Sequence, residues 1–69
     1  VDAILDKVSR HYAQMPDCSV STIDGVKIDF EDGWVHLRKS NTEPIVRVYS
    51  ESHTEARAQQ LAQMVLAEL

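Results

Sequence analysis

The stretch Val26-Lys27-Ile28-Asp29-Phe30-Glu31-Asp32-Gly33-Trp34-Val35-His36-Leu37 decides the fold. Val26, Ile28 and Phe30 alternate with Lys27, Asp29 and Glu31, the period-two signature of a strand with one buried face. Asp32-Gly33 follows, and Asp-Gly between two strand-like runs predicts a type I′ hairpin, a turn with positive φ at both central positions. Trp34 to Leu37 is the return strand. Two antiparallel strands are marginal in water, so this hairpin needs further strands and a layer against its apolar face.

Both flanks supply them. On the N-terminal side, Ser19 to Ile23 reads as a short strand that leads into Asp24-Gly25. On the C-terminal side, the polar segment Arg38 to Pro44 precedes another strand, Ile45-Val46-Arg47-Val48-Tyr49. There Arg47 falls on the face of Ile45 and Tyr49, opposite Val46 and Val48. Further out, Val1, Ile4, Leu5, Val8 and Tyr12 recur at helical spacing, and the pattern stops at Met15-Pro16-Asp17, where proline disfavours αR for the residue before it. A first helix over about residues 1–14 follows. Ser52-His53-Thr54-Glu55 matches a capping box with Ser52 as N-cap. Ala58, Leu61, Ala62, Val65 and Leu69 form the apolar stripe of the helix it opens. The order is α-β-β-β-β-α: an α+β fold, an antiparallel sheet of about four strands with two helices on one face, in a single domain over residues 1–69.

Composition bounds the function. Sixty-nine residues, 43% hydrophobic and 26% charged, make one small soluble globule. A chain of that size buries only about 60% of its unfolded surface, enough for one modest core. The net charge of −4 argues against a nucleic-acid partner. No apolar run approaches the roughly 18 residues of a membrane span, and no basic-then-apolar start suggests a signal peptide. The single cysteine, Cys18, precludes an internal disulfide framework and fits a reducing, cytoplasmic setting. Val1 stands inside a helical pattern without an initiator Met, which reads as a piece cut at domain boundaries; a processed terminus is the other reading.

The chemistry concentrates in Arg38-Lys39-Ser40-Asn41-Thr42-Glu43-Pro44. Such a connection is longer than the two to five residues usual between hairpin strands. Three of the seven basic residues, Arg38, Lys39 and Arg47, lie in it or just beyond it. The residue types suit a phosphate monoester: Arg pairs two phosphate oxygens at once, and Ser and Thr hydroxyls donate to the rest. The backbone N–H groups of Ser40, Asn41 and Thr42 are candidates for an anion-binding nest, with Asn tolerating the αL conformation that a nest uses. A solvated connection is the plainer reading of the same residues, and spacing alone leaves both open. The Gly-rich phosphate-loop pattern is absent.

Other candidates are weaker. His11, His36 and His53 have no metal-ligand spacing, alone or with Cys18, and read as surface or edge residues. Asp29, Glu31 and Asp32 read as a solvated strand edge and turn. Cys18 has no neighbouring cation and reads as an inert thiol. Trp34 reads as core packing, with docking to a neighbouring domain as the alternative.

Taken together, Asp24-Gly25-Val26-Lys27-Ile28, Trp34-Val35, and Arg38-Lys39-Ser40-Asn41-Thr42-Glu43-Pro44 with Arg47 and Tyr49 resemble the last domain of the α-D-phosphohexomutases. That family includes phosphoglucomutase, phosphomannomutase and phosphoglucosamine mutase, intramolecular phosphotransferases of carbohydrate metabolism classed as isomerases. Its phosphate-binding loop runs R-x-S-(G/N)-T, continuing E-P and then an Arg. The match is closest over residues 24–51. The resemblance implies a fold like the TATA-box-binding protein and a larger four-domain enzyme interconverting hexose 6-phosphate and hexose 1-phosphate. It implies that Arg38, Ser40, Asn41 and Thr42 hold the substrate phosphate not being transferred, supported by Arg47. The implied partners are the sugar phosphate and the other domains of the same chain. The family's catalytic serine and its D-x-D-x-D magnesium loop are absent from this stretch. Mg2+ and the transfer step are thus expected from other domains, and no catalytic or metal-binding residue is expected here. The alternative is a stand-alone small ligand-binding or interaction domain.

Overall fold

A computed structural model describes residues 2–68. The chain runs α1 (Asp2–Ala13), β1 (Ser19–Ser21), β2 (Val26–Phe30), β3 (Gly33–Lys39), β4 (Val46–Ser52) and α2 (Glu55–Leu66). The four strands form one antiparallel meander in the order β1-β2-β3-β4. This is the α+β architecture expected from the alternation, with sheet and helices in the expected order. Val1 and Leu69, the outer members of the two helical stripes, lie outside the described residues.

Register explains the layers. Val26 pairs with Leu37 and Ile28 with Val35, while Leu37 also faces Val48. All of these point to one side of the sheet. Leu5, Val8 and Tyr12 of α1, with Leu61 and Val65 of α2, cover that side, and the nine buried hydrophobic residues among those described form one cluster. Helix α1 lies against β1 and β2, and α2 against β3 and β4. Fully burying a side chain such as Ile28 or Leu61 is worth about 1.5–3 kcal/mol, so this seam is what holds the helices down. The opposite face carries Lys27, Asp29, Trp34, His36, Arg38, Arg47, Tyr49 and Glu51, and no helix packs on it among the described residues.

Four local expectations need correction. The β2–β3 hairpin forms, but Phe30 pairs with Gly33, so its two-residue turn is Glu31-Asp32. Neither turn residue has positive φ, which excludes type I′. Gly33 instead belongs to β3, because a Cβ there would lie 2.3 Å from the Glu51 carbonyl oxygen and 2.9 Å from Leu61 Cδ1.

Second, β4 runs on to Ser52 because β3 supplies pairing partners as far as Gly33. Ser52 is therefore a strand residue, and its Oγ donates to the Asp32 carbonyl at 2.5 Å. The N-cap of α2 is Thr54, whose Oγ1 accepts the Arg57 amide at 3.1 Å. Third, Arg38 and Lys39 lie in β3 rather than in the connection, so the β3–β4 loop is residues 40–45. Fourth, Trp34 is not in the core. Val35 and Leu37 take the inward positions, so alternation turns Trp34 outward, where Lys27 Nζ sits 5.2 Å from the ring centroid.

Candidate functional site

Two connections meet at one end of the sheet: the β1–β2 corner, residues 22–25, and the β3–β4 loop, residues 40–45. Strand alternation sends Arg38 and Arg47 to the open face, and the register sets them directly opposite one another. Facing like charges are unfavourable across an antiparallel pair unless something neutralises them. Among the described residues, the Arg47 side chain has no hydrogen-bond or ion-pair partner.

The loop is folded tightly at its base. The Ser40 amide donates to the Ile45 carbonyl at 3.0 Å, closing the loop where β3 and β4 part. The Thr42 amide donates to Ser40 Oγ at 3.3 Å, and the two hydroxyls lie 3.4 Å apart. No non-glycine residue among those described has positive φ, so Asn41 is not in the αL conformation and the expected three-amide nest does not form. The amides of Ser40 and Thr42 are used within the loop, whereas no hydrogen bond engages that of Asn41 among the described residues. What remains available is a set of side-chain donors.

Those donors converge. An open depression of about 340 Å³ is lined by Arg38, Ser40, Asn41, Thr42, Arg47 and Tyr49, together with Lys39. The structure thus brings the five residues expected from sequence to one cavity. Its mouth is open to solvent, and its lining carries two guanidinium groups and the hydroxyls of Ser40, Thr42 and Tyr49. Guanidinium forks and hydroxyls form charge-assisted hydrogen bonds to anions. A second depression of about 410 Å³, on the α1 side, shares Arg38, Lys39 and Asn41 and is completed by Asp6, Asp24 and Gly25.

Three further residues stand at this end. Tyr49 lies two positions beyond Arg47, on the strand face where alternation puts it, although it is not among the expected site residues. Asp24 sets its Oδ2 3.7 Å from Arg38 Nη2. His36 lies opposite Tyr49, with the rings 6.5 Å apart, and its Nε2 is 2.5 Å from the Asp24 carbonyl oxygen. The last two depend on how closely the β1–β2 corner approaches β3. Gly25 allows that approach: its φ is +72°, and a Cβ would lie 2.3 Å from the Leu37 carbonyl oxygen.

Elsewhere, Cys18 is half-buried and its Sγ donates to the Tyr12 carbonyl at 3.4 Å. Burial, with Asp17 adding to it, pushes the thiol above its ordinary pKa, against any role as a nucleophile. No group of three or more His, Cys, Asp or Glu side chains among the described residues is placed to hold a metal ion. No helix is long and apolar enough to cross a membrane among those residues.

Fold and site define a small α+β domain whose sheet end gathers two arginines and loop hydroxyls at one open cavity. Residues 2–68 match the family model of the phosphoglucomutase/phosphomannomutase C-terminal domain, and the chain belongs to that family. Over 62 residues it is 42% identical to a phosphoglucomutase/phosphomannomutase of Thermococcus kodakarensis, covering 90% of this chain and 13% of that protein. It is 38% identical over 61 residues to a probable phosphoglucosamine mutase of Pyrococcus horikoshii, covering 88% of this chain and 13% of the relative. With a phosphomannomutase/phosphoglucomutase of Pseudomonas syringae pv. tomato it shares 39% identity over 57 residues, covering 83% of this chain and 12% of the relative. The chain therefore spans about an eighth of the length of these curated relatives.

Proposed function

We propose that this chain is the substrate-phosphate grip of a phosphohexomutase, the C-terminal one of four domains in a longer polypeptide that interconverts hexose 6-phosphate and hexose 1-phosphate. Arg38 and Arg47 take the phosphate that is not being transferred, and Ser40, Asn41 and Thr42 complete its hydrogen bonding. The observation that carries this reading is the Arg38–Arg47 pair, set face to face at the rim of a cavity whose other polar donors come from one loop. Two unit positive charges at one rim match a doubly charged phosphate monoester in charge and in fork geometry. The grip supplies binding energy and orientation. The transferring serine and the magnesium ion belong, in this reading, to other domains, and the sugar phosphate and those domains are the partners. The chain alone is then inactive, and the full-length protein is a cytoplasmic enzyme.

The test is Arg38→Ala in the full-length polypeptide. Losing hydrogen bonds to a charged group removes about 1.5–3 kcal/mol of binding, which is roughly a 10- to 150-fold fall in kcat/KM for hexose phosphate. Unchanged kinetics would refute the assignment.

A further inference from the structure

The cation pair at the rim carries an internal anion. Asp24 Oδ2 lies 3.7 Å from Arg38 Nη2, beyond hydrogen-bond length, so the contact is Coulombic and does not tie the guanidinium fork into one geometry. Both side chains are well exposed, Arg38 at 51% and Asp24 at 70%. The backbone beneath the carboxylate, by contrast, is fixed. His36 Nε2 meets the Asp24 carbonyl, and Gly25 holds the corner against the Leu37 carbonyl with no room for a Cβ. A firmly anchored corner therefore delivers a loosely engaged carboxylate to the arginine that faces Arg47.

We infer that Asp24 is an exchangeable counter-ion. It partly discharges the Arg38–Arg47 pair while the cavity is empty and gives up Arg38 when a phosphate group arrives. The inference rests on the reading of Arg38 as a phosphate ligand. Asp24 acts through Arg38 and is a positioning residue rather than a catalytic one.

Electrostatics fixes the sign. In the empty state the carboxylate offsets part of the repulsion between facing arginines. In the loaded state the same carboxylate stands beside a dianion and opposes it, so its net effect is to weaken the grip. Arg38 has five donors, so it can turn from a single carboxylate oxygen to a bidentate phosphate contact without losing partners. Two nearby charge pairs are engaged with each other rather than with Arg38. Lys27 is 3.6 Å from Asp29, and Asp6 is 2.9 Å from Arg10.

The experiment titrates inorganic phosphate into the full-length polypeptide as wild type, D24N, D24E and R38A, with thermal unfolding followed in parallel. In low salt D24N is expected to bind phosphate roughly fivefold more tightly, the upper end for one exposed ion pair. That gain should shrink as salt screens the rim. Without phosphate, D24N should melt slightly below wild type, and D24E should keep the charge and behave as wild type. A purely structural role for Asp24 would instead lower affinity and melting temperature together. If D24N binds phosphate no more tightly than wild type while R38A loses phosphate binding, the counter-ion inference is overturned and the proposed function stands. If R38A binds phosphate as wild type does, both are overturned.

Discussion

Arg38 and Arg47 occupy the same cross-strand pair of β3 and β4, side by side on the open face of the sheet. A folding sequence under no other demand would not put two arginines there, since directly opposed like charges cost about 0.2–1 kcal/mol. On the proposed function, the site is built at the expense of the fold. Arg47→Thr keeps a good strand former and removes the repulsion, so this chain should melt about 1–6 °C higher in low salt. Adding phosphate should narrow or reverse that order, because a ligand that binds the native state stabilises the variant that holds it better. Melting curves with and without phosphate test both halves.

The two glycines make separate demands. Gly33→Ala would put a Cβ 2.3 Å from a backbone oxygen and 3.0 Å from Ser52 Cβ, prising β3 from β4 under helix α2. Gly25→Ala would both strain a backbone at φ +72° and meet the Leu37 carbonyl at 2.3 Å. Each should cost about 1–3 kcal/mol, measured as a lower denaturation midpoint at unchanged m-value. Only Gly25→Ala should also alter phosphate binding, tightening it in low salt as D24N does, since it displaces the corner that holds the Asp24 carboxylate near Arg38.

The start of α2 separates two roles that the sequence confounds. Thr54→Ala removes the side-chain acceptor for the Arg57 amide and should cost about 1 kcal/mol. Ser52→Ala removes a hydrogen bond to the Asp32 carbonyl on the other side of the hairpin. It should cost a similar amount, about 0.5–1.5 kcal/mol. Because Arg57 Nε also donates to Asp32 Oδ2, the two bonds belong to one network, and the double variant should depart from additivity in urea denaturation. A capping box at Ser52 would predict no effect of Thr54→Ala.

The difference between what was legible and what was not lies in range. Alternation located β2, β3 and β4 and put Arg47 on the face away from Val46 and Val48, because side-chain direction depends only on a residue's own strand. Helical spacing found Leu5, Val8, Leu61 and Val65, all of which reach the core. Ser52 was misread because its strand character comes from pairing with Gly33, a partner nineteen positions earlier (52 − 33). Arg38 and Lys39 looked like loop because polar residues end a strand in sequence, although pairing with β4 carries β3 through them. Trp34 was misplaced by weighting its size above its phase. The five candidate site residues were legible as a group because four lie in one short segment and the fifth faces them across the next strand. Asp24 was not, since nothing local announces that a corner fourteen residues upstream (38 − 24) will reach Arg38.

The hairpin tip carries the most direct pH dependence. Arg57 Nε donates to Asp32 Oδ2 at 2.7 Å, joining the turn to α2, and this bond holds the Asp32 carboxyl below the ordinary aspartate range. A folded-state pKa below the unfolded value near 3.9 means the native state binds that proton less readily. The pair therefore adds stability that is fully present above about pH 4 and is lost as pH falls through the lower, folded value. Arg57→Leu should flatten stability between neutral pH and the acid limb, with the largest gap from wild type above pH 4 and convergence of the two curves in strong acid. Denaturation midpoints collected from pH 7 down to pH 2 measure this directly. A gap that instead persists unchanged into strong acid would show that Arg57 acts by packing its stem rather than by holding the carboxylate.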